Sequence, residues 1–344
     1  MRGRVSCWLV WCRDFGRRVR SLVSFWTSTF LFEIVARMKR RRFVMEPRSV
    51  LVTGGGGFIG KHLRPLLERQ GLNVVSLDYS PAQPGCDPTC YQCDVADSQQ
   101  VEAIFQTHRF EAVIHLASIL PTASRQDPHK ATKVNITGSL NLLEAARRFH
   151  VKRMIYASSV SVYGTQPASS CVSENQPPAP EDVYGAAKRY VELVGEAYQL
   201  NFGVEFLALR IAMVVGPGTI SATSPWRNQI FEYLGGAQQK EVLIPYREDE
   251  VLPLVHVEDI AAMLASVALA KGASSTVYNS FAESVIAREL KNEVESLNPN
   301  IRVSLGTASV SGGPRIIDSS RFARDFGLVS VPLRERLRRA IRDR

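Results

Sequence analysis

A chain of 344 residues, 45% of them hydrophobic and 22% charged, holds enough apolar material for two domains or one large one, which excludes a disordered or fibrous protein. The formal charge of +9 sits in residues 1–44, where eleven Lys/Arg face two Asp/Glu; from totals of 42 and 33, the other 300 residues keep 31 of each sign. That neutral body excludes a nucleic-acid binder working through a basic surface.

The leading segment also carries three of the four tryptophans. Its longest apolar run, SLVSFWTSTFLF, is twelve residues broken by Ser and Thr, short of the ~20 that span a bilayer. Three readings stay open. It is an Arg-rich presequence, a basic amphipathic anchor on a membrane surface, or a translated upstream stretch without a role, since Met45 opens MEPRSVLVTGGGGFIG as an ordinary domain start. Membrane contact is expected only if the leader functions. Residues 1–45 are therefore set apart from the fold, and the body is expected in the cytoplasm.

The body begins with SVLVT (49–53), an apolar run that reads as a strand and ends in glycines. HLRPLLERQ follows with helical spacing up to Gly71, then the strand NVVSL (73–77). Beyond a cysteine-bearing loop come YQCD, the helical VEAIFQTHR, the strand EAVIHLA, a long helical stretch to Phe149 and the strand RMIYAS. Strands alternating with helices at this spacing predict βαβ units on a parallel, doubly wound (Rossmann) sheet.

Gly54, Gly57 and Gly60 form a G-x-x-G-x-x-G turn between the first strand and the first helix. Gly54 is expected to turn the chain, Gly57 to admit a pyrophosphate close to backbone N–H groups, and Gly60 to let the helix close on the strand. Phe58 and Ile59 open that helix, whose N-terminus favours phosphates. Asp78 closes the second strand, in SLDYS. A carboxylate there accepts ribose hydroxyls and repels a 2′-phosphate, and no Arg or Lys follows at once, so NAD is favoured over NADP. The competing reading makes Asp78 a turn residue. Asp94, ending the third strand, serves the adenine or a turn.

Cys86, Cys90 and Cys93 stand at C-x3-C-x2-C spacing in GCDPTCYQCDV. Three thiolates can hold an iron–sulfur cluster, but a fourth nearby ligand for zinc is missing. The preferred reading has no metal: Cys93 ends a strand and is buried, and the other two lie in a Pro-containing loop. No disulfide framework is indicated, which suits a reducing compartment.

Residues 184–188 read YGAAK. In a helix, Tyr184 and Lys188 at i and i+4 share one face. A free phenol has a pKa near ~10. A neighbouring ammonium and an oxidised nicotinamide would favour the phenolate and bring a general base toward its working range. Ser159 ends the fifth strand in YASSVSVYG, at the edge where parallel sheets bind ligands.

With VLVTGGGGFIG, CDVAD, AVIHLAS, VNITGSLNLLEAARR, MIYASSVSVYG, YGAAK, LRIAMVVGPG and LVHVEDIA in this order from residue 50 to about 280, the chain resembles the extended short-chain dehydrogenase/reductase family, the NAD-dependent epimerase/dehydratase family. The resemblance implies a catalytic Ser159, Tyr184 and Lys188. Tyr184 would take a hydroxyl proton while hydride leaves the same carbon for the nicotinamide; Ser159 would orient that oxygen, and Lys188 would hold the ribose. It implies cofactor contacts at Val95, Leu116, Ala117 and Ser118, and at Asn135, for which a purely structural role is an equal alternative. Ser118, Ser159, Ser161 and Met213 would line the substrate. His256 is read as structural.

Departures from the family's pattern narrow the reaction. No acid follows Ser159, which disfavours dehydration and decarboxylation. Family nucleotide-sugar enzymes carry an asparagine where Met213 stands, and an arginine where Leu252 stands; of a late arginine segment only Arg315 in GGPRIID remains. A diphosphate without forked donors is poorly held. The expected function is therefore NAD-dependent hydride transfer from a secondary alcohol of a sugar-like, hydroxy-acid or polyol substrate. The alternatives are a UDP-sugar 4-epimerase with tightly held NAD and a cofactor-binding regulator without turnover. Residues 46–211 and 253–280 are expected to form the NAD-binding sheet, and 212–252 with 281–344 a small substrate-binding lid. A homodimer through the helices around 127–149 and 183–200 is implied by the resemblance.

Overall fold

The computed structural model describes residues 48–81, 88–218, 223–270 and 272–342. The readings of the leader fall outside these residues, as does Cys86. The first half comprises β1 (Ser49–Thr53), α1 (Phe58–Arg69), β2 (Asn73–Asp78), β3 (Cys90–Gln92), α2 (Ser98–Thr107) and β4 (Ala112–His115). A broken helical run follows: α3 (Pro121–Gln126), α4 (Pro128–Thr132), a π-turn at Lys133–Thr137 and α5 (Gly138–Arg148). Next come β5 (Arg153–Ser159), a 3-10 turn at Val160–Tyr163, β6 (Cys171–Val172), α6 (Val183–Phe202) and β7 (Glu205–Ile211). The remainder holds β8 (Met213–Val215), α7 (Trp226–Glu232), β9 (Lys240–Tyr246), β10 (Val251–His256), α8 (Val257–Leu269) and β11 (Val277–Asn279). It ends with β12 (Glu283–Ile286), α9 (Ala287–Leu297), β13 (Ile301–Ala308), β14 (Ile316–Ile317), α10 (Ser320–Phe326) and α11 (Leu333–Arg342).

Seven strands lie parallel in the order β11-β7-β5-β4-β1-β2-β3. Strands of such a sheet are covered on both faces and so read as near-continuous apolar runs; all of β4 and β5 is buried. Alternate residues serve opposite faces. Val50 and Val52 join Leu63 and Leu67 of α1 and Ile260 and Leu264 of α8. Leu51, Val75 and Val113 join Phe105 of α2, Leu142 of α5 and Val191 of α6. This is the doubly wound Rossmann-type sheet expected from the alternating pattern.

A third apolar cluster joins Val215, Trp226, Ile230, Val242, Leu254, Leu290 and Leu337. These residues belong to a three-stranded sheet, β12-β10-β8, to the β13-β9 pair and to helices α7, α9 and α11. They form the added C-terminal region that flanks the substrate side. β10 pairs with β8 and β12, so the chain rejoins the large sheet only with α8 and β11. The expected boundary at residue 253 instead cuts through β10.

The strand order reverses between β1 and β4, and ligands bind at such switch points beyond the carboxyl ends of the strands. The functional residues lie along this edge. Cys93 is 2% exposed and burial raises its thiol to about 11, as befits an inert core thiol. Cys90 is disulfide-bonded, whereas Cys93 and Cys171 are free. Among the described residues no group of three or more His, Cys, Asp or Glu is placed to hold a metal.

Candidate active site

The glycine turn sits in the switch-point crevice. Gly54 has φ +68°, and a Cβ there would meet the backbone N of Ala117, after β4, at 2.8 Å. Leu116 N–H donates to Thr53 O at 3.1 Å and Ala117 N–H to Thr53 Oγ1 at 3.3 Å. At Gly57 a Cβ would touch only Gly54 O, so its outer side is open; at Gly60 it would strike Gly55 O at 2.5 Å. Gly54 thus turns the chain and Gly60 lets α1 close on the strand. Gly55 carries a constraint that the spacing did not reveal: a Cβ would collide with Ser76 Oγ at 1.7 Å. No side chain caps the N-terminus of α1, where Phe58 meets His62 edge-on and Ile59 touches the core.

Asp78 lies at the rim of this turn. Its Oδ2 accepts from Gly56 N–H and its Oδ1 from Ser80 N–H, both at 3.1 Å. It therefore serves the turn, and each oxygen keeps a lone pair for a further donor. Asp94 accepts from Ala96 N–H at 2.9 Å, the turn alternative. Val95 is buried, 2.7 Å from where a Cβ on Gly138 would stand. Asn135 is 1% exposed and both ends of its amide are engaged: Oδ1 accepts from Ser118 Oγ and Ile119 N–H, and Nδ2 donates to Ile119 O. Asn135 thus clamps the segment after β4, which makes it a positioning residue for Ser118 rather than an open amide.

Ser159 ends β5, and its Oγ donates to Ser161 Oγ and accepts from Ser161 N–H, each at 3.1 Å. Asp182 caps α6 through Gly185 N–H at 2.7 Å. A Cβ on Gly185 would lie 2.6 Å from Ser161 O, so α6 presses directly on this turn. Tyr184, 8% exposed, is thereby brought close enough to the Ser159 hydroxyl for it to act on the phenol. One turn on, Lys188 donates to Ala157 O at 2.7 Å, with its Nζ 5.4 Å from the Tyr184 ring centroid and 4.7 Å from that of Tyr156.

The protein's own groups, without the oxidised nicotinamide that the expectation invokes, favour the neutral phenol. Burial pushes the Tyr184 phenol up to about 12, against the downward pull of the Ser159 hydrogen bond and the Arg227 charge. Burial also brings the Lys188 ammonium down to about 7, against the upward pull of Glu192. Desolvation penalises the charged form of both groups.

Met213 sits in β8 and packs against the C-terminal cluster. Arg315, considered as a substitute phosphate grip, donates to Glu250 Oε1 at 2.6 Å and to the carbonyls of Gln166 and Val310. Leu252 is fully buried.

Three polar groups around the site escaped the sequence reading. Glu192 is fully buried, one turn beyond Lys188, and accepts from Arg210 Nε and Nη2, Ser158 Oγ and Arg189 Nη1. A Glu at i+4 from the Lys of YGAAK is the signal that could have marked it. His115 is 1% exposed, bridges Thr53 Oγ1 at 2.7 Å and Ser139 Oγ at 2.9 Å, and is held near pKa 3 by burial. Arg227 stands in the first turn of α7, its charge acts on Tyr184 and Tyr246, and its Nε is buried without a partner.

A crevice with a glycine-lined helix start, beside a Ser–Tyr–Lys cluster on the same sheet edge, defines a nucleotide-dependent enzyme class. Residues 50–280 match the NAD dependent epimerase/dehydratase family, and the chain belongs to it. It is similar to a UDP-glucose 4-epimerase of Halalkalibacterium halodurans, 32% identical over 172 residues, which is 49% of this chain and 51% of the epimerase. The chain thus matches only about half the length of that relative. It is also similar to the mitochondrial L-threonine 3-dehydrogenase of Bos taurus, 27% identical over 346 residues, covering 94% of this chain and 90% of the dehydrogenase. Among solved structures, a UDP-glucose 4-epimerase of Thermus thermophilus in complex with NAD superimposes with a TM-score of 0.74 and 26% identity, covering 86% of this chain and 98% of the other.

Proposed function

We propose that this protein is an NAD-dependent dehydrogenase acting on a secondary alcohol of a small substrate. The observation that carries the proposal is the buried Ser159–Tyr184–Lys188 cluster on the sheet edge that holds the glycine turn. The residues present fit NAD: α1 begins without a side-chain cap, Gly57 is open, and Asp78 stands at the rim. When bound, NAD supplies the hydride acceptor and a positive nicotinamide. Tyr184 takes the substrate's hydroxyl proton, and Ser159 donates to the same oxygen. Lys188 uses one N–H on Ala157 O and keeps two for ribose hydroxyls.

A small substrate is favoured because Arg315, committed to Glu250, is not free for a diphosphate. The near full-length similarity to a threonine dehydrogenase points the same way. The second reading, epimerisation of a UDP-sugar with NAD retained, draws on the similarity to UDP-glucose 4-epimerases. Net accumulation of NADH separates the two. The proposal includes a cytoplasmic location and a homodimer. Among the described residues no helix is long and apolar enough to cross a membrane.

Tyr184→Phe tests the base. The ring still packs, so NAD affinity should stay within about threefold while turnover falls on the order of 10²–10⁴. Because the phenolate is the active form and the phenol starts near 12, the wild-type rate should rise with pH through the neutral range and above pH 8. Stopped-flow NADH formation against pH, for both proteins, measures this. An unchanged rate and inflection in the variant would remove Tyr184 from the reaction.

A further inference from the structure

Among the described residues, four largely buried guanidinium groups have carboxylate partners. Arg153 pairs with Glu205 at 2.8 Å, Arg210 with Glu192 at 2.7 Å and Arg315 with Glu250 at 2.6 Å, and Arg336 pairs with Asp259. Arg227 has no such partner among the described residues. Its guanidinium lies 5.9 Å from the Trp226 ring, close enough to Tyr246 and Tyr184 for their charges to act on it, and its buried Nε is without an acceptor. The neighbouring segment 219–222 reads TISA and carries no carboxylate.

The fold fixes Arg227 at the substrate side. Gly216 N–H donates to Arg227 O at 3.1 Å, and Asn228 Nδ2 donates back to Gly216 O at 3.0 Å, tying the start of α7 to the end of β8. The same loop reaches the cofactor helix: His62 Nε2 lies 3.0 Å from Pro217 O, and a Cβ on Gly218 would be 3.3 Å from His62 and Phe58. From there the Arg227 charge is felt at the Tyr184 phenol, and burial lowers the Arg227 pKa itself. A desolvated guanidinium whose neighbours are neutral phenols is costly to keep. Its planar fork is suited to a carboxylate, which would fill the unused donor.

We propose that Arg227 is the specificity-determining residue of this site and binds a carboxylate group of the substrate, so that the alcohol oxidised is that of a small hydroxy acid. This rests on the dehydrogenase reading and names its substrate class. A single guanidinium matches one carboxylate.

The test pairs each of L-threonine, 3-hydroxybutyrate, glycerate and gluconate with its neutral methyl ester, using the full chain. NADH formation is measured for the wild type, Arg227→Lys and Arg227→Met. In parallel, malonate and UDP are titrated into the NADH-loaded proteins by thermal shift. At least one acid should be oxidised on the order of 10²-fold better in kcat/KM than its ester. Arg227→Met should erase that preference by slowing the acid alone, and Arg227→Lys should restore part of it. Malonate should stabilise the wild type but not Arg227→Met, while both proteins bind NADH alike. The proposal is overturned if ester and acid react equally, if the acid preference survives in Arg227→Met, if UDP but not malonate shows dependence on Arg227, or if no carboxylate is either oxidised or bound. NADH formation from a neutral alcohol would then still support the dehydrogenase reading, whereas absence of any NADH would count against both.

Discussion

Asp78 holds two backbone amides at once, those of Gly56 and Ser80, and so fixes a negative charge at the mouth of the glycine turn. A 2′-phosphate entering there would meet that charge at short range, whereas ribose hydroxyls would find acceptors. NAD should therefore bind at least tenfold more tightly than NADP. Asp78→Asn keeps one acceptor oxygen and removes the charge, and it should narrow the gap mainly by improving NADP. Fluorescence titration of both cofactors against both proteins decides the matter; equal affinities in the wild type would leave Asp78 as a turn residue only. At this scale the sequence was informative about identity and poor on energetics. The i, i+4 spacing of Tyr184 and Lys188 implied a shared helix face, and the two do lie together, 5.4 Å from Nζ to ring centroid. The upward shift of the phenol was not legible, because it comes from burial under side chains distant in sequence. Arg227 gave no signal for a related reason: its meaning depends on the carboxylate it lacks.

Glu192 ties three elements together beneath the site: Ser158 of β5, Arg189 of its own helix α6, and Arg210 of β7. Its charge also opposes the fall in the Lys188 pKa. Both Glu192 and Arg210 are almost fully buried, 0% and 3% by side chain. Removing one member of such a pair leaves an uncompensated buried charge, which costs on the order of 3–5 kcal/mol. Glu192→Ala should lose about that much in urea unfolding, with Glu192→Gln losing less because its amide still bonds Ser158 and Arg210. A loss below about 1 kcal/mol in Glu192→Ala would show the network to be solvated. The elements were readable wherever local periodicity decides them. β1, β2 and β5 are apolar runs, and YGAAK begins a helix capped by Asp182. The stretch to Phe149 read as one long helix, yet it is broken at Asp127 and passes through a π-turn at Lys133–Thr137. That turn sets Asn135 against Ile119, a tertiary demand invisible to periodicity. β10 likewise looks like a sheet strand in sequence, and only its pairing with β8 and β12 assigns it to the smaller sheet.

For the whole molecule, α6 poses a problem of exposure. One face buries Tyr184, Lys188, Val191 and Glu192, while the opposite side presents Val183 (40% exposed), Tyr190 (46%), Leu193 (49%) and Leu200 (83%). These positions are spaced by seven, three and seven residues, the a/d rhythm of a helix seam that seats a second helix. Phe202, at the C-terminal end of α6, is 54% exposed and meets Arg147 of α5 at 5.2 Å, so the ends of the two helices adjoin. An apolar stripe of this length facing water favours association. We propose that a second copy of this chain covers it, since a twofold contact lets the same seam meet itself. The dimer would also brace the helix that carries Tyr184 and Lys188. Leu193→Glu with Leu200→Glu places four like charges across that contact, two from each copy. Sedimentation equilibrium should find a wild-type mass near twice the 38.2 kDa of the chain and a variant near the monomer, with the fold retained because both residues lie outside the core. Turnover of the variant should fall several-fold as α6 loses its support. A wild type that stays monomeric at concentrations on the order of 100 μM, well above the range of a stable homodimer, would sink the proposal and leave the stripe as exposed surface alone.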